Sequence, residues 1–311
     1  MRKLSFVLLL AMLCGVVQAQ ITDYSIFKHK FNFYVANDLG RNGYYDQKPI
    51  AERMGEMADK GVDPEFVLAT GDIHHFEGVA SVNDPLWMTN YELVYSHPEL
   101  MLPWFPVLGN HEYRGNTQAV LDYSRVSRRW VMPARYYTQV FSDKGMTLRV
   151  VWIDTAPLIG KYRREKDKYP DASLQDDNRQ LAWMDSVLTV AREDWVIVAG
   201  HHPIYAETPK DAEERVDMQQ RVDPILRRHH VDMYLCGHIH NFQHIRIKGS
   251  DIDYITNSAG SLSRKVKPVE GTLFCSPEPG FSIVSASKQQ LELRMIDKKG
   301  NVLYTVTRSK K

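Results

Sequence analysis

Two imidazoles one residue apart, His238 and His240, stand behind Gly237 at the end of the apolar run Asp232-Met233-Tyr234-Leu235-Cys236. Side chains of an extended chain repeat with period two, so a strand carried through this stretch would aim both rings the same way and offer both to a metal. A lone His-x-His reads equally well as two partly exposed loop histidines. The same grammar recurs along the chain, however. Residues 31–36 run into Asn37-Asp38, residues 66–70 into Gly71-Asp72, residues 104–108 into Gly109-Asn110-His111-Glu112, residues 150–153 into Asp154, and residues 195–199 into Gly200-His201-His202. Apolar strands that each finish in Asp, Asn or His set oxygen and nitrogen donors along one sheet edge, where open α/β sheets keep their ligands. Asn110 directly before His111 can give an amide oxygen to a metal while the imidazole stays outside as a proton donor.

The elements that must position these groups are legible in the spacing. Ile50, Met54 and Met57 fall at helical intervals behind Pro49 and predict a helix over residues 48–60. Strand, helix and strand then make a βαβ unit with a parallel pair, which puts Asp38 and Asp72 at neighbouring strand ends. Trp87, Tyr91 and Tyr95 read as core or pocket wall, and residues 92–100 as a helix ending near Pro98. Residues 136–141 and 148–152 read as strands joined by a hairpin turn at Asp143-Lys144-Gly145. The charged stretch 159–173, with Lys161, Arg163, Arg164, Lys166 and Lys168, is either a solvated surface or a border of the site that attracts an anion. Residues 173–192 read as a helix opened by a capping-box-like Ser173 and Asp176, and residues 215–230 as a helix interrupted at Pro224. Beyond His240, short alternating segments predict antiparallel strands forming much of a second sheet, with helices outside both.

Composition excludes little but bounds the answer. The 311 residues are 43% hydrophobic and 25% charged, enough for one large core, and a net charge of +1 gives no argument for a nucleic-acid partner. Arg2 and Lys3 precede an apolar run from Leu4 to Leu13, and Val17-Gln18-Ala19 offers small residues for cleavage. Residues 1–19 are therefore expected to be a secretory signal, too short to span a bilayer, with a lipid anchor at Cys14 as the alternative. This leaves an N-terminal extension over residues 20–30, one domain over residues 31–311, and a secreted or periplasmic location with no membrane span. Cys236 and Cys275 remain in the mature chain; export permits a disulfide, but Cys236 in its apolar run reads as a free buried thiol.

The ordered set Asp38, Gly71-Asp72, Gly109-Asn110-His111-Glu112, Gly200-His201 and Gly237-His238-Ile239-His240 resembles the calcineurin-like metallophosphoesterases, and within them the small, tartrate-resistant type of purple acid phosphatase. The resemblance runs from about Phe31 to the end. It implies an α/β, four-layer αββα sandwich of two mixed sheets flanked by helices, holding two metal ions. Asp72 would bridge them; Asp38, His240 and the residue three after Asp72 would complete one site, and Asn110, His201 and His238 the other. Where the family carries a tyrosinate this chain has His75, with His74 as the alternative ligand. Without a phenolate the purple charge-transfer colour should vanish, and Zn, Mn or ferrous Fe become suitable ions beside ferric Fe. Asn37 stands where a Gly is usual, and Lys210 where a second substrate-facing His is expected, which leaves His202 or nothing to act there.

The expected activity is hydrolysis of phosphate monoesters by in-line attack of metal-bound hydroxide, with His111 orienting phosphate or protonating the leaving group. The substrate would be a small phosphorylated molecule or a phosphoprotein. A phosphodiesterase of the same superfamily and a non-catalytic metal- or phosphate-binding surface protein are the alternatives.

Overall fold

Strand Phe31–Ala36 is buried on both faces, so it must be covered from two sides at once. The Phe33 ring stacks on Phe66, 4.6 Å between centroids, while Tyr34 points the other way and donates to the carbonyl of Met54, 2.9 Å away in helix Gln47–Met57. The computed structural model describes residues 19–257 and 260–310. Its strands in chain order are β1 (Ala19–Gln20), β2 (Phe31–Ala36), β3 (Pro64–Ala69), β4 (Trp104–Pro106), β5 (Tyr137–Asp143), β6 (Met146–Trp152), β7 (Trp195–Ala199), β8 (Met233–Cys236), β9 (Phe242–Ile245), β10 (Asp253–Thr256), β11 (Thr272–Ser276), β12 (Gly280–Ala286), β13 (Gln290–Asp297) and β14 (Asn301–Ser309). The α-helices are α1 (Gln47–Met57), α2 (Thr117–Asp122), α3 (Gly160–Arg164), α4 (Asp177–Thr189), α5 (Ala212–Arg221) and α6 (Asp223–Arg228).

Among the described residues these strands form two seven-stranded mixed sheets, ordered β1-β14-β13-β12-β2-β3-β4 and β11-β9-β10-β8-β7-β6-β5. Strands β2, β3 and β4 run parallel at one end of the first sheet, and β6, β7 and β8 run parallel within the second. Aromatic rings bridge the two inner faces: Phe66 stacks on Phe141 at 4.6 Å, and Phe105 on Trp152 at 5.3 Å. On the outside, Gln180 of α4 exchanges hydrogen bonds with the backbone of Asp154, at 2.7 and 2.9 Å. The signal-like segment lies outside the described residues except for Ala19. Cys236 and Cys275 are both free thiols.

Three expectations are corrected. The strands beyond His240 divide: β9, β10 and β11 join the second sheet as expected, whereas β12 pairs with β2, Ser282 opposite Val35, and carries β13 and β14 into the first. An alternating pattern marks a strand but not the edge it joins, and the free edge of β2 opposite β3 was open to it. Residues 92–100 are not one helix but short turns over Met88–Glu92 and Pro98–Leu100. His97 is extended (φ −57°, ψ 136°), as the residue before a proline tends to be. Helix α4 opens on Asp176, whose carboxylate accepts from the Arg179 amide at 2.9 Å, leaving Ser173 in a separate turn over Ala172–Leu174.

Candidate metal centre

The loops after β2, β3, β4, β7 and β8 meet at one edge of the sandwich, and each delivers its donor from a strand end. Asp38, Asp72, His238 and His240 all have left-handed backbones, φ 52°, 53°, 73° and 61°. For residues other than glycine this costs roughly 1–2 kcal/mol each, a conformation that persists where surrounding structure imposes it. His238 and His240 therefore reach the same site through two left-handed turns; strand β8 already ends at Cys236, so the period-two argument is not what aims them.

The donor atoms fall into adjoining groups, each within 4.8 Å of one another: Asp38, His75 and His240; Asp38, Asp72 and His201; Asp72, His75 and His111; His201, His202 and His238. Asp72 is common to two of them. Its Oδ2 lies 3.2 Å from His201 Nε2 and 3.5 Å from His75 Nε2, and its Oδ1 accepts from the His111 amide at 2.9 Å. Asn110 Oδ1 stands 3.2 Å from His201 Nε2, and His240 Nε2 lies 3.4 Å from Asp38 Oδ1.

Ring orientations are set from behind. His201 Nδ1 is held by the Thr70 carbonyl at 2.8 Å and His240 Nδ1 by the Leu262 carbonyl at 2.7 Å, so each presents Nε2 to the centre. His238 is reversed: Glu214 takes its Nε2 at 2.9 Å, and Nδ1 faces His201 at 3.2 Å. Glu112 accepts three backbone amides, from Gly109 at 2.7 Å, Asp72 at 2.9 Å and His74 at 3.0 Å, and so ties the loops after β3 and β4 together. Burial, seconded by Asp72, pushes its carboxyl up to about 7.

These residues fit a pair of metal ions. Asp38 Oδ1 and both ring nitrogens of His75 are buried with no hydrogen-bond partner, a costly state for polar atoms unless an ion takes them. Burial works against a charged His201, but the adjacent Asp72 outweighs it and holds the imidazole up to about 9, a proton standing where a cation would otherwise neutralise the carboxylate. His74 turns away: its ring packs on Trp87, its Nδ1 meets the Asn90 amide at 3.2 Å, and burial pushes it down to about 3. Of the two candidates, His75 is the one that faces the cluster.

A cavity of about 400 Å³ opens above the donors. Its wall carries Arg41, Arg114, Lys161, Lys168, Lys210 and Arg264 against two carboxylates, Asp211 and Glu214. The charged loop thus does border the site, through Lys161 and Lys168, whereas its Arg164 pairs outward with Glu213 at 2.7 Å. His111 lines the cavity with Nδ1 committed to the Phe76 carbonyl at 2.6 Å, so Nε2 alone faces inward.

His202 does not line the cavity. It is fully buried, with Nδ1 2.7 Å from the Thr155 hydroxyl and Nε2 2.9 Å from that of Tyr162. Neither nitrogen is thus free for the expected substrate contact; Lys210 lines the cavity, its amine 3.3 Å from both ring nitrogens of His238. Burial pushes that amine down to about 8, with Asp38 and Asp72 opposing. Arg41, Arg264 and Glu214 carried no sequence signal of their own beyond Arg41 following Gly40; only the fold brings them here.

The model of the calcineurin-like phosphoesterase family matches residues 31–242. Purple acid phosphatase 3 of Arabidopsis thaliana is 31% identical over 289 residues, 88% of this chain and 76% of that protein. Tartrate-resistant acid phosphatase type 5 of Homo sapiens is 30% identical over 257 residues, 77% of this chain and 78% of that protein. Among solved structures, GAP50, the anchor in the inner membrane complex of Plasmodium, superposes with a TM-score of 0.78 at 25% identity, covering 91% of this chain and 90% of that one.

Proposed function

This chain belongs to the calcineurin-like phosphoesterase family and is a metal-dependent phosphatase, and from that premise we propose that it is exported and hydrolyses phosphate monoesters at two metal ions drawn from Fe, Zn and Mn. The observation that carries the reading is the convergence of buried donors from both sheets, Asp38 Oδ1 and the His75 nitrogens unpartnered among them, beneath a cavity walled by cations. Asp72 would lie between the ions; Asp38, His75 and His240 would hold one, and Asn110, His201 and His238 the other. When bound, the ions supply an activated water and neutralise charge on the phosphate oxygens.

The chain's own residues do the rest. Arg41, Lys210 and Arg264 draw the anion in and hold its outer oxygens. Lys210 gives one proton to the His238 carbonyl and keeps the others for the substrate. His111 presents Nε2 to the leaving oxygen and can donate from it only as imidazolium, since Nδ1–H serves Phe76. His202 acts beneath the site, where its bonds to Thr155 and Tyr162 fix the floor under His238. In the mature chain residues 20–30 form an extension and residues 31–311 the catalytic domain, residues 1–19 having been removed. Among the described residues no helix is long and apolar enough to cross a membrane.

The test is metal analysis of the purified protein with parallel assays on 4-nitrophenyl phosphate and bis(4-nitrophenyl) phosphate. Two ions per chain and turnover of the monoester are expected; turnover of the diester alone makes it a phosphodiesterase. A second reading, a non-catalytic binding protein, draws on the likeness to GAP50, whose name makes that protein an anchor. It predicts metal uptake with neither ester hydrolysed.

A further inference from the structure

A second cavity of about 450 Å³ adjoins the first, sharing Arg41 and Phe76 with it and reaching His75, a proposed ligand. Its remaining wall is the loop after β2, and its character is different: Tyr44, Tyr45 and Phe76 are 72%, 62% and 60% exposed. Large aromatic rings left this open beside a site are out of keeping with a solvated loop. The loop that carries them is nevertheless firmly built. Gln47 takes the Arg41 and Gly43 amides at 3.1 and 2.8 Å, Asn90 takes the Asn42 amide at 2.7 Å, and Asp46 pairs with Lys298 at 2.7 Å. Asn42 and Tyr45 are held in left-handed backbones, φ 54° at each. Structure is thus invested in the backbone, while among the described residues neither tyrosine ring stacks on another ring.

We propose that this aromatic shelf is a leaving-group subsite, and that the substrates are phosphate monoesters of aromatic alcohols. The inference rests on the phosphatase reading of the adjoining centre. With phosphate over the donors, the esterified group must leave the polar cavity, and the shared wall leads it past Arg41, whose guanidinium already lies 4.8 Å over the Phe76 ring. A planar ring fits there by stacking on the tyrosine faces while turning a face, not its positive edge, toward the guanidinium. A short aliphatic alcohol would leave those faces wet.

Binding of phenylphosphonate and methylphosphonate to the metal-loaded protein tests this without turnover, since neither is hydrolysed. The phenyl compound should bind on the order of ten-fold more tightly, as one aromatic stacking contact provides. In Tyr44→Ala/Tyr45→Ala the ratio should fall to near one through weakening of the phenyl compound, while Tyr44→Phe/Tyr45→Phe should keep it. Equal affinities in the unaltered protein, or a preference surviving the alanine pair, overturn the shelf. Kinetics on benzyl and ethyl phosphate, whose leaving alkoxides are of similar basicity, separate the two readings. A phenylphosphonate preference with no turnover sinks the phosphatase and spares the subsite; turnover of both esters at equal kcat/KM does the reverse. A phosphotyrosyl peptide compared with free phosphotyrosine then tells a protein substrate from a small one.

Discussion

His75 stands where the resemblance noted in the sequence implies a tyrosinate, and its surroundings say what an imidazole there would do. The ring is buried, 3.5 Å from Asp72, with neither nitrogen spoken for. As a ligand a neutral imidazole would add no anionic charge, so it would weaken the preference for a trivalent ion and supply no phenolate to give colour. Protein loaded with iron should therefore show no purple band, and His75→Tyr should create one; an iron-loaded His75→Tyr without visible absorption would remove His75 from the ligand set. Asp154 makes a separate case. It ends a strand as the ligands do, but its carboxylate meets the Tyr113 hydroxyl, and burial pushes it up to about 7. In the fold it keeps a proton that the unfolded chain releases near its ordinary value of 3.8. The native state then binds more protons between those values, so this group's contribution to stability falls as pH rises from about 4 to about 7 and is flat above. The full span is on the order of 4 kcal/mol. Asp154→Asn should remove this slope and be the more stable form at pH 8, measured by urea melts across pH; unchanged slopes would place the titration elsewhere.

At the scale of elements, what matters is how closely the strand-end loops approach one another. A β-carbon on Gly109 would stand 2.2 Å from Asp72 Oδ1 and 2.5 Å from the Asp72 amide, and one on Gly237 would stand 2.7 Å from Asp38 Oδ2. These glycines are required by the neighbouring ligand rather than by their own backbone angles, neither of which is left-handed. Gly109→Ala should fold, because the sheets do not depend on it, but should displace Asp72 and weaken metal binding by about 10–100-fold, the usual cost of disturbing a ligand's support. A dissociation constant unchanged by Gly109→Ala would mean that Asp72 is not held from this side. Glu112 has the complementary task, joining the same two loops through three amides.

Viewed whole, the centre draws on both layers of the sandwich. Asp38, Asp72, His75 and Asn110 come from loops of the first sheet, and His201, His238 and His240 from loops of the second. Ions held between them tie the sheets at one edge, as the aromatic stack of Phe66, Phe105, Phe141 and Trp152 ties them inside. Binding to the native state alone adds about 4 kcal/mol at a thousand-fold excess over the dissociation constant. Chelation should therefore lower Tm by on the order of 10 °C, and restored metal should reverse the loss. Asp72→Ala should melt at the same temperature with or without chelator and should retain neither metal nor activity. A chelator effect of equal size in Asp72→Ala would place the stabilising ions elsewhere.

The sequence alone supplied the expected donors and their order, the parallel βαβ core and the family, because most of the signal is written locally: an apolar run, then a glycine or asparagine, then Asp, Asn or His. The separation of His75 from His74 was not local, since adjacent residues share every pattern and only packing against Trp87 and Asn90 turns one ring inward to the core. Nor were Arg41, Glu214 and Arg264, which lie far apart in the chain and meet only when the two sheets close. The same holds for the burial of His202 beneath the site and the placement of β12 beside β2. Hydrogen-bond partners and strand edges are chosen by what else arrives in space, and that is a property of the folded molecule.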